Sequence, residues 1–355
     1  MASTARQITS PPTDVIQSVK FSPYSRNRLL VSSWDRHVYL YDVAKQGENL
    51  INKFEHRAAV LDACFGDSDN EAFTGGLDLQ VRKLNLETGT FDTLSNHTKA
   101  VKNLIYSKKH NLLISGSWDG TLHVHALSQD PLTPSTIPLP DKVYTLSATD
   151  SKLVVGMASR AFYIYDLQSL SMLSEAATAP SPNTLNAQPW QHRESSLKFL
   201  TRISACMPSG DGYAVSSIEG RVAVEWFDDS EESQARKYAF KCHRQTQVTE
   251  DTGQEVDVIY PVNALAFHPI HGTLASGGGD GVVAIWDPQH KRRVKQYPKL
   301  ESSVPALAFS HDGKLLAMAT SPGFETDKSN GLAEGVVSIW IKELTDTEAK
   351  AKVPR

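Results

Sequence analysis

Four cationic side chains stand at predicted loop positions between residues 193 and 244. Arg202 ends the pattern RESSLKFLTR, Arg221 ends SSIEGR, and Lys241 and Arg244 lie within KYAFKCHR. Arginine and lysine donors that converge suit a phosphate ester or a carboxylate, because hydrogen bonds between charged groups are stronger than neutral ones. The stretch therefore predicts a surface that binds an anionic group of a partner.

Two tryptophans, Trp34 and Trp118, occur in Ser-Trp-Asp turns. Large aromatic side chains at exposed turns beside cations are typical of protein interfaces, where tryptophan and arginine carry much of the binding free energy. We therefore expect both tryptophans to lie on the same face of the molecule as the four cations.

A catalytic interpretation would rest on His97, Ser117 and Asp119, which could be mistaken for a hydrolase triad. The sequence contains no nucleophile elbow, P-loop or HExxH pattern. A histidine before a repeat, a serine on its second strand and an aspartate in its turn suit a structural hydrogen-bond network instead. We predict that the chain is not an enzyme.

These side chains must be positioned by a repeated β-strand unit. The units LLVSSWDRHVYLYD, LLISGSWDGTLHVHAL and LASGGGDGVVAIWD each contain an apolar run, a tight turn with aspartate and an alternating run, which indicates two half-buried strands joined by a hairpin. The turn aspartates Asp35, Asp78 and Asp119 recur at a period of about 40 to 45 residues, which is typical of a four-stranded propeller blade. We expect these aspartates and Asp280 to fix their turns by hydrogen bonds to backbone amides.

Seven such units, each preceded by a further apolar strand, predict an all-β fold: one closed seven-bladed β-propeller over residues 4–345. Residues 4–10 should add the missing outer strand to the last blade and so close the ring. Residues 171–190 are rich in Ala, Ser, Thr and Pro, and we expect a mobile loop between blades 4 and 5. The polar and acidic insertion at 244–257 precedes blade 6, and residues 346–355 should form a flexible tail.

Composition narrows the functional classes. The 355 residues carry a net charge of −4, which gives no general attraction to nucleic acid. Three cysteines, Cys64, Cys206 and Cys242, show no metal-ligand spacing, so we expect buried thiols and neither a metal nor another cofactor. The absence of a long apolar segment or charged leader predicts an intracellular chain that does not interact with membranes.

The pair Trp286-Asp287, with the Gly-Asp-Gly turn before it, resembles the WD40 family, and the period extends this likeness over almost the whole chain. The patterns RESSLKFLTR, SSIEGRVAVE, YAFKCHR and YPVNALAFHPIHGTLASGGGDG resemble the mitotic checkpoint propellers of the Bub (budding uninhibited by benzimidazole) system. The related Rae/Gle propellers of mRNA export share SIEGRVA and FKCHR. Phe199-Leu200 departs from the checkpoint family, which more often has Tyr-Gln there.

The resemblance to the checkpoint propellers implies a phosphopeptide-binding adaptor. Such a propeller binds GLEBS segments of the Bub kinase and of a checkpoint pseudokinase, and docks on threonine-phosphorylated MELT repeats of the outer kinetochore scaffold. Arg221 and Lys241 match the positions that hold the phosphothreonine. Trp34 and Arg202 match GLEBS contacts, the latter pairing with a GLEBS glutamate.

Trp118 and Arg244 are further candidates on the same face. The resemblance also implies a monomeric propeller within a hetero-complex, located in the nucleus and at the kinetochore in mitosis. The alternative hypothesis is a nuclear-pore adaptor of mRNA export, which also binds a GLEBS segment but has affinity for single-stranded nucleic acid. That affinity would require a wide basic surface and would depend steeply on salt.

Overall fold

Short antiparallel strands form seven sheets around a central channel, as the alternating sequence pattern predicts. The computed structural model describes residues 5–44, 47–128, 133–176, 183–248, 253–323, 336–345 and 347–351. Within these ranges, each of the seven sheets contains four strands in antiparallel order, and one carries a short fifth strand. The predicted seven-bladed β-propeller is confirmed.

The first three blades follow the chain without interruption. Blade 1 contains β2 to β5, at Ile16–Phe21, Arg28–Ser33, His37–Asp42 and Leu50–Glu55. Blade 2 contains β6 to β9, at Val60–Phe65, Glu71–Gly76, Gln80–Asn85 and Phe91–Asn96. Blade 3 contains β10 to β13, at Val101–Ser107, Leu112–Ser117, Thr121–Ala126 and Ser135–Pro138.

The next two blades carry helical insertions before their fourth strands. Blade 4 contains β14 to β16 and β18, at Val143–Ala148, Lys152–Met157, Ala161–Asp166 and Gln191–Glu194. Its insertion holds helix α1 at Leu167–Ala176 and β17 at Asn183–Thr184, which pairs in parallel with β13 of blade 3. Blade 5 contains β19 to β22, at Thr201–Cys206, Gly212–Ser217, Arg221–Trp226 and Tyr238–Lys241, with helix α2 at Glu231–Ala235.

A separate two-stranded hairpin connects blades 5 and 6. It consists of β23 and β24, at Arg244–Val248 and Glu255–Ile259. Blade 6 contains β25 to β28, at Val262–Phe267, Leu274–Gly278, Val283–Asp287 and Arg292–Gln296. Blade 7 contains β29 to β31, at Ser303–Phe309, Leu315–Ser321 and Ser338–Glu343, and is completed by β1 at Arg6–Gln7.

The ring closes as the sequence predicts. Strand β1 pairs with β31 through Arg6 opposite Ile341 and Gln7 opposite Trp340. The next residue, Ile8, donates its backbone N–H to the carbonyl of Ile339 at 2.8 Å and is itself buried. Its side chain packs in an apolar cluster shared by blades 1 and 7. This pairing covers the edge that blade 7 would otherwise expose.

Burial is greatest in the second strands and lowest in the outermost ones. All six residues of the second strands β11 and β20 are buried, whereas five of the six residues of β9 and all five of β28 are half-buried or exposed. The second strand of each blade is covered on both faces by its neighbouring blades, which explains its continuous apolar run. The hydrophobic core therefore lies between blades, and each blade is stabilised by the next.

The insertion at 171–190 differs from its prediction. Because β18 pairs with β16, the insertion lies inside blade 4, between its third and fourth strands, and its predicted place between blades is wrong. The sequence hid this strand because QHRE has no apolar alternation. Leu167 and Leu170 bury one face of α1 against blades 3 and 4. Residues 177–182 lie outside the described part of the chain, and mobility here stays a prediction.

The C-terminal segment also differs from the flexible tail predicted for 346–355. Glu348 and Ala349 are buried. Lys295 forms a short ion pair with Glu348, and the Thr273 hydroxyl donates to the Ala349 carbonyl at 2.7 Å. Part of the segment is thus docked against blade 6. Residues 346 and 352–355 lie outside the described residues.

Buried histidines gather in blades 2 and 3. The Nδ1 of His123 and the Nε2 of His125 each lie 3.0 Å from the Ser95 hydroxyl, and His56 contacts the Thr74 hydroxyl at 2.9 Å. Burial lowers the pKa of His56 to about 4, of His123 to about 4 and of His125 to about 3. These three side chains are therefore neutral in the folded chain at physiological pH.

We predict that the propeller loses stability as the pH falls from about 6.5 to 4. The unfolded chain binds protons at these histidines near their ordinary pKa of about 6.5, whereas the folded chain does not. Each of these histidines should lower the free energy of unfolding by about 1–2 kcal/mol between pH 7.5 and pH 5. Urea unfolding at pH 7.5 and pH 5 measures the loss. His125→Gln should reduce the pH dependence and the exposed control His311→Gln should not; equal stability at both pH values would contradict the prediction.

None of the helices within the described ranges has the length and apolar character needed to cross a membrane.

Candidate functional site

The six predicted site residues all lie at one end of the propeller, which we call the top rim. The loops that enter the inner strands and the turns between second and third strands meet there, as the pairing of Ile16 with Ser33 shows for blade 1. The predicted residues occupy these loops, turns or adjacent strand ends: Trp34, Trp118, Arg202, Arg221, Lys241 and Arg244. The structure divides them between two places on the rim.

The first place is the mouth of the central channel, which forms a cavity of about 660 Å³ lined by the inner strands. Both tryptophans and Arg202 line it, whereas the other three predicted residues do not. The side chains that dominate its upper wall come from five blades: Trp34, Lys102, Trp118, Tyr144, Arg202 and Asn263. The mouth therefore combines aromatic surface with cationic and amide donors, which suits an acidic peptide segment.

Arg202 is held by a relay of amide and hydroxyl groups across three blades. Its Nε and Nη2 donate to the Asn263 side-chain oxygen at 3.0 and 2.6 Å. The Asn263 amide in turn donates to the Ser303 hydroxyl at 3.1 Å. A guanidinium whose own rotamer is fixed in this way loses little entropy when it binds a carboxylate.

The two tryptophans differ in one contact. Trp34 donates its indole N–H to the Gln17 side-chain oxygen at 3.1 Å. In blade 3 the position of Gln17, at the bulge of the inner strand, is taken by Lys102, which cannot accept a hydrogen bond. The buried indole N–H of Trp118 accordingly has no acceptor among the described residues. An acceptor on a bound partner would satisfy it.

Lys102 and Asn263 were missed by sequence reasoning. Burial lowers the pKa of Lys102 to about 8, with repulsion from Arg202 and Lys20 adding to the effect and Asp62 opposing it. An incoming carboxylate would favour the protonated form of this lysine. The available signal was its place at the second residue of an inner strand, a position that lines the channel in blades 1 to 6.

The second place is a pair of cationic side chains on blade 5, which we call the blade 5 pair. Arg221 begins β21 and lies directly opposite Lys241, which ends β22. The Nε of Arg221 is 3.3 Å from the Glu219 carboxylate. Lys241 is exposed and has no ion pair or side-chain hydrogen bond within the described ranges. Two cations on neighbouring strands, opposed by one carboxylate, leave positive charge available to a dianion.

Arg244 has a supporting position beside this pair. Its Nη2 donates to the backbone carbonyl of Glu219 at 3.0 Å, which fixes the turn that precedes Arg221. The guanidinium Nε of Arg244 is buried without a hydrogen-bond acceptor in the described part of the chain, and the Nε of Arg221 has an ion pair with Glu219 but no well-aligned hydrogen bond there. Both side chains thus retain donor capacity next to Lys241.

The turn aspartates have the structural role that we predicted. Asp119 accepts the backbone N–H of Thr98 at 2.9 Å and of Thr121 at 3.0 Å. Burial opposes its ionisation, but hydrogen bonds from His97 and Thr121 prevail and hold its pKa well below the ordinary value. Asp280 accepts from Val282 and from His243 in the same way.

His97, Ser117 and Asp119, the residues that could be mistaken for a hydrolase triad, do not form one in the structure. The Nε2 of His97 contacts the Ser115 hydroxyl at 2.8 Å, not that of Ser117, which donates to the Lys99 carbonyl. Ser115 is fully buried, so no substrate could reach it. Among the described residues, no group of three histidine, cysteine or acidic side chains could hold a metal ion.

Comparison with known proteins decides the family. The model of the WD domain, G-beta repeat, matches residues 4–42, 90–125 and 253–287. The chain is 43% identical to mitotic checkpoint protein BUB3.1 of Arabidopsis thaliana over 99% of its own length and 96% of that protein. It is 36% identical to mitotic checkpoint protein bub-3 of Caenorhabditis elegans over 98% of its length and 95% of that protein. The chain belongs to the Bub3 family of mitotic checkpoint WD40 proteins.

The export proteins are also similar. A Poly(A)+ RNA export protein of Schizosaccharomyces pombe is 31% identical over 89% of this chain and 83% of that protein. The two Bub3 relatives above are more similar to this chain, and over a larger share of it. As a Bub3-family WD40 protein the chain is a mitotic checkpoint protein and not an enzyme. The predictions of a checkpoint WD40 protein and of a chain that is not an enzyme are confirmed.

Proposed function

We propose that the chain is an adaptor of the spindle assembly checkpoint. It binds GLEBS segments of the Bub-type kinase and of the checkpoint pseudokinase, and recruits them to phosphothreonine MELT repeats at the outer kinetochore. The observation that carries the proposal is the pairing of Arg221 with Lys241 across neighbouring strands. The checkpoint names of the Bub3 relatives support the process in which it acts.

The blade 5 pair suits phosphothreonine for an electrostatic reason. The phosphate carries about −1.5 to −2 charges and three acceptor oxygens, which match one guanidinium and one ammonium group. Arg221 must give up part of its contact with Glu219, but the arginine side chain is about 35% exposed. An exposed ion pair contributes only about 0–1 kcal/mol, so little is lost. Unmodified threonine offers no comparable partner.

The channel mouth suits the GLEBS segment. In this proposal Arg202 pairs with a GLEBS glutamate and Trp34 provides aromatic contact. Trp118, with its open indole N–H, and the partly desolvated Lys102 add donors to the same cavity. The two sites are separate, so one propeller can hold a GLEBS segment and a phosphorylated MELT repeat together.

This function places the protein in the nucleus, and at the kinetochore in mitosis. The propeller acts as a monomer within a hetero-complex, with neither membrane nor nucleic acid as a partner. Among the described residues the top rim offers two limited cationic places, the channel mouth and the blade 5 pair, in a chain of net charge −4.

The direct test is calorimetric titration of the chain, pre-bound to a GLEBS peptide, with a MELT peptide in phosphorylated and unphosphorylated form. We expect binding of the phosphorylated peptide and at least about 100-fold weaker binding of the other, as two charged contacts of about 1.5–3 kcal/mol each would give. Equal affinities would refute phosphothreonine recognition.

A second candidate function is an export adaptor, which the similarity to the Poly(A)+ RNA export protein favours. Single-stranded RNA binding that weakens steeply with salt, together with phosphate-independent MELT binding, would support it.

A further inference from the structure

The hairpin formed by β23 and β24 belongs to no blade. Its sheet contains only these two strands, so within the described ranges both of its outer edges lack a neighbouring strand. Open strand edges present unpaired N–H and C=O groups and readily accept a further strand. Proteins usually cover or shorten such edges, which makes a five-residue open hairpin beside a binding site a candidate for use.

The base of the hairpin is firmly attached to blade 5. The backbone N–H of Tyr260 donates to the His243 carbonyl at 3.0 Å and closes the base, and the Nη2 of Arg244 donates to the Glu219 carbonyl of blade 5 at 3.0 Å. Gly220, at φ +62°, lies so close that an added Cβ would be 3.0 Å from the Ile259 side chain and 2.7 Å from the Cys242 carbonyl. Isolated two-stranded hairpins are only marginally stable, and this packing compensates for that.

The same contacts place the hairpin beside the blade 5 pair, Arg221 and Lys241. Gly220 is next to Arg221, and Lys241 precedes the first hairpin residue by three positions. The five residues of each strand span about 14 Å at 3.4 Å per residue. An extended peptide with its phosphate on the pair would therefore run along the hairpin within a few residues.

Charge is distributed unevenly along the hairpin. Arg244 lies at its base, whereas Asp257 and Glu255 lie progressively nearer its tip on the same face, as the pairing of alternate residues shows. Glu255 is exposed and has no side-chain partner in the described part of the chain. An occupant with a phosphate at the base and a cation about four residues away would complement this arrangement.

Apolar side chains on the hairpin are available for contact as well. Val248 is 61% exposed, Ile259 44% and Val256 41%. Val248 and Ile259 share the face of the carboxylates, and Val256 lies on the other face. Strand addition would cover part of this surface, because side chains of the added strand alternate between the two faces.

We infer that the segment flanking the phosphothreonine binds as a third strand on an edge of the β23–β24 hairpin, with a basic residue about four positions away facing Glu255. This inference rests on the proposed function, since the phosphate contact at Arg221 and Lys241 sets the register. The hairpin extends phosphothreonine recognition to the backbone and charge of the neighbouring residues.

The test is calorimetry with the full chain, pre-bound to a GLEBS peptide, and phosphothreonine peptides N-methylated at one backbone nitrogen at a time. A strand donates alternate N–H groups to its neighbour. We expect about a three- to tenfold loss of affinity at every second nitrogen along one side of the phosphothreonine, and little change at those between. The same loss at all positions, or at none, would overturn the inference.

A shortened variant, in which a Gly-Ser-Gly linker replaces residues 246–257, keeps the base of the hairpin. This variant should retain the melting temperature of the intact chain and should still bind only the phosphorylated peptide. Its affinity should no longer alternate between successive N-methylated peptides. The charge contact is tested separately. Glu255→Lys should weaken binding of a peptide that has lysine four residues from the phosphothreonine by about two- to fivefold. Glu232→Lys, at an exposed position on helix α2, should not weaken binding of that peptide.

The two proposals fail in different ways. If the intact chain does not bind the phosphopeptide, or binds it without phosphate dependence, the proposed function and the strand inference both fall. If binding depends on phosphate but hairpin shortening leaves affinity and the N-methylation profile unchanged, only the strand inference falls.

Discussion

Arg221→Ala combined with Lys241→Ala should abolish binding of a phosphorylated MELT peptide while the propeller stays folded. Each side chain would contribute a charge-assisted contact of about 1.5–3 kcal/mol, so the pair is worth about 3–6 kcal/mol, or at least about 100-fold in affinity. Neither residue belongs to the core: Lys241 is exposed and Arg221 half-buried at a strand end. Calorimetry measures the affinity, and thermal unfolding verifies the fold.

A matched control removes two lysines of the same charge from the opposite end of the propeller. Lys109 and Lys314 are exposed and lie in turns between first and second strands. Lys109→Ala with Lys314→Ala lowers the net charge equally and should leave phosphopeptide binding within about twofold. An unchanged affinity in the Arg221 and Lys241 double variant would remove both residues from the site.

Trp34→Ala and Arg202→Ala should each weaken binding of a GLEBS peptide more than they weaken phosphopeptide recognition. Loss of a central tryptophan from an interface commonly costs about 2 kcal/mol or more, which is about 30-fold. Loss of Arg202 removes a pre-positioned donor for a glutamate, at about 1.5–3 kcal/mol. Titration of each variant with a GLEBS peptide provides the measurement.

The chain offers suitable controls for these two changes. Trp190 is 48% exposed on the insertion of blade 4, and Arg293 is exposed on β28, the outermost strand of blade 6. Trp190→Ala and Arg293→Ala remove the same residue types far from the channel mouth. GLEBS binding that is equal in all four variants would show that the segment binds elsewhere.

The sequence predicted the number of blades and the ring closure because both depend on local patterns. Apolar alternation repeats in every blade, and a turn aspartate recurs in blades 1, 2, 3 and 6. Apolar alternation does not reveal a polar strand. The fourth strand of blade 4, QHRE, pairs through its backbone and carries no apolar signal. The docked position of Glu348 and Ala349 likewise depends on tertiary contacts with Lys295 and Thr273, which local sequence does not encode.

The sequence predicted which residues lie on the top rim, but not that they form two separate places there. Arg202 and Arg221 are only 19 positions apart in one blade, yet one lies on the inner strand and the other on the third. The role of Lys102 depends on strand register, since it occupies in blade 3 the bulge position of Gln17 in blade 1. Such equivalences between blades become visible only once the bulges are aligned.

The pairing of β1 with β31 has a consequence for synthesis on the ribosome. Arg6 and Gln7 are synthesised more than 300 residues before their partners Ile341 and Trp340. The earlier blades can assemble in order as they appear, whereas blade 7 needs both β1 and β31. The nascent propeller therefore remains an open arc, with one exposed flank, until β31 has been made. A tag or truncation that disturbs the first ten residues should impair this last step and leave the blades already formed intact.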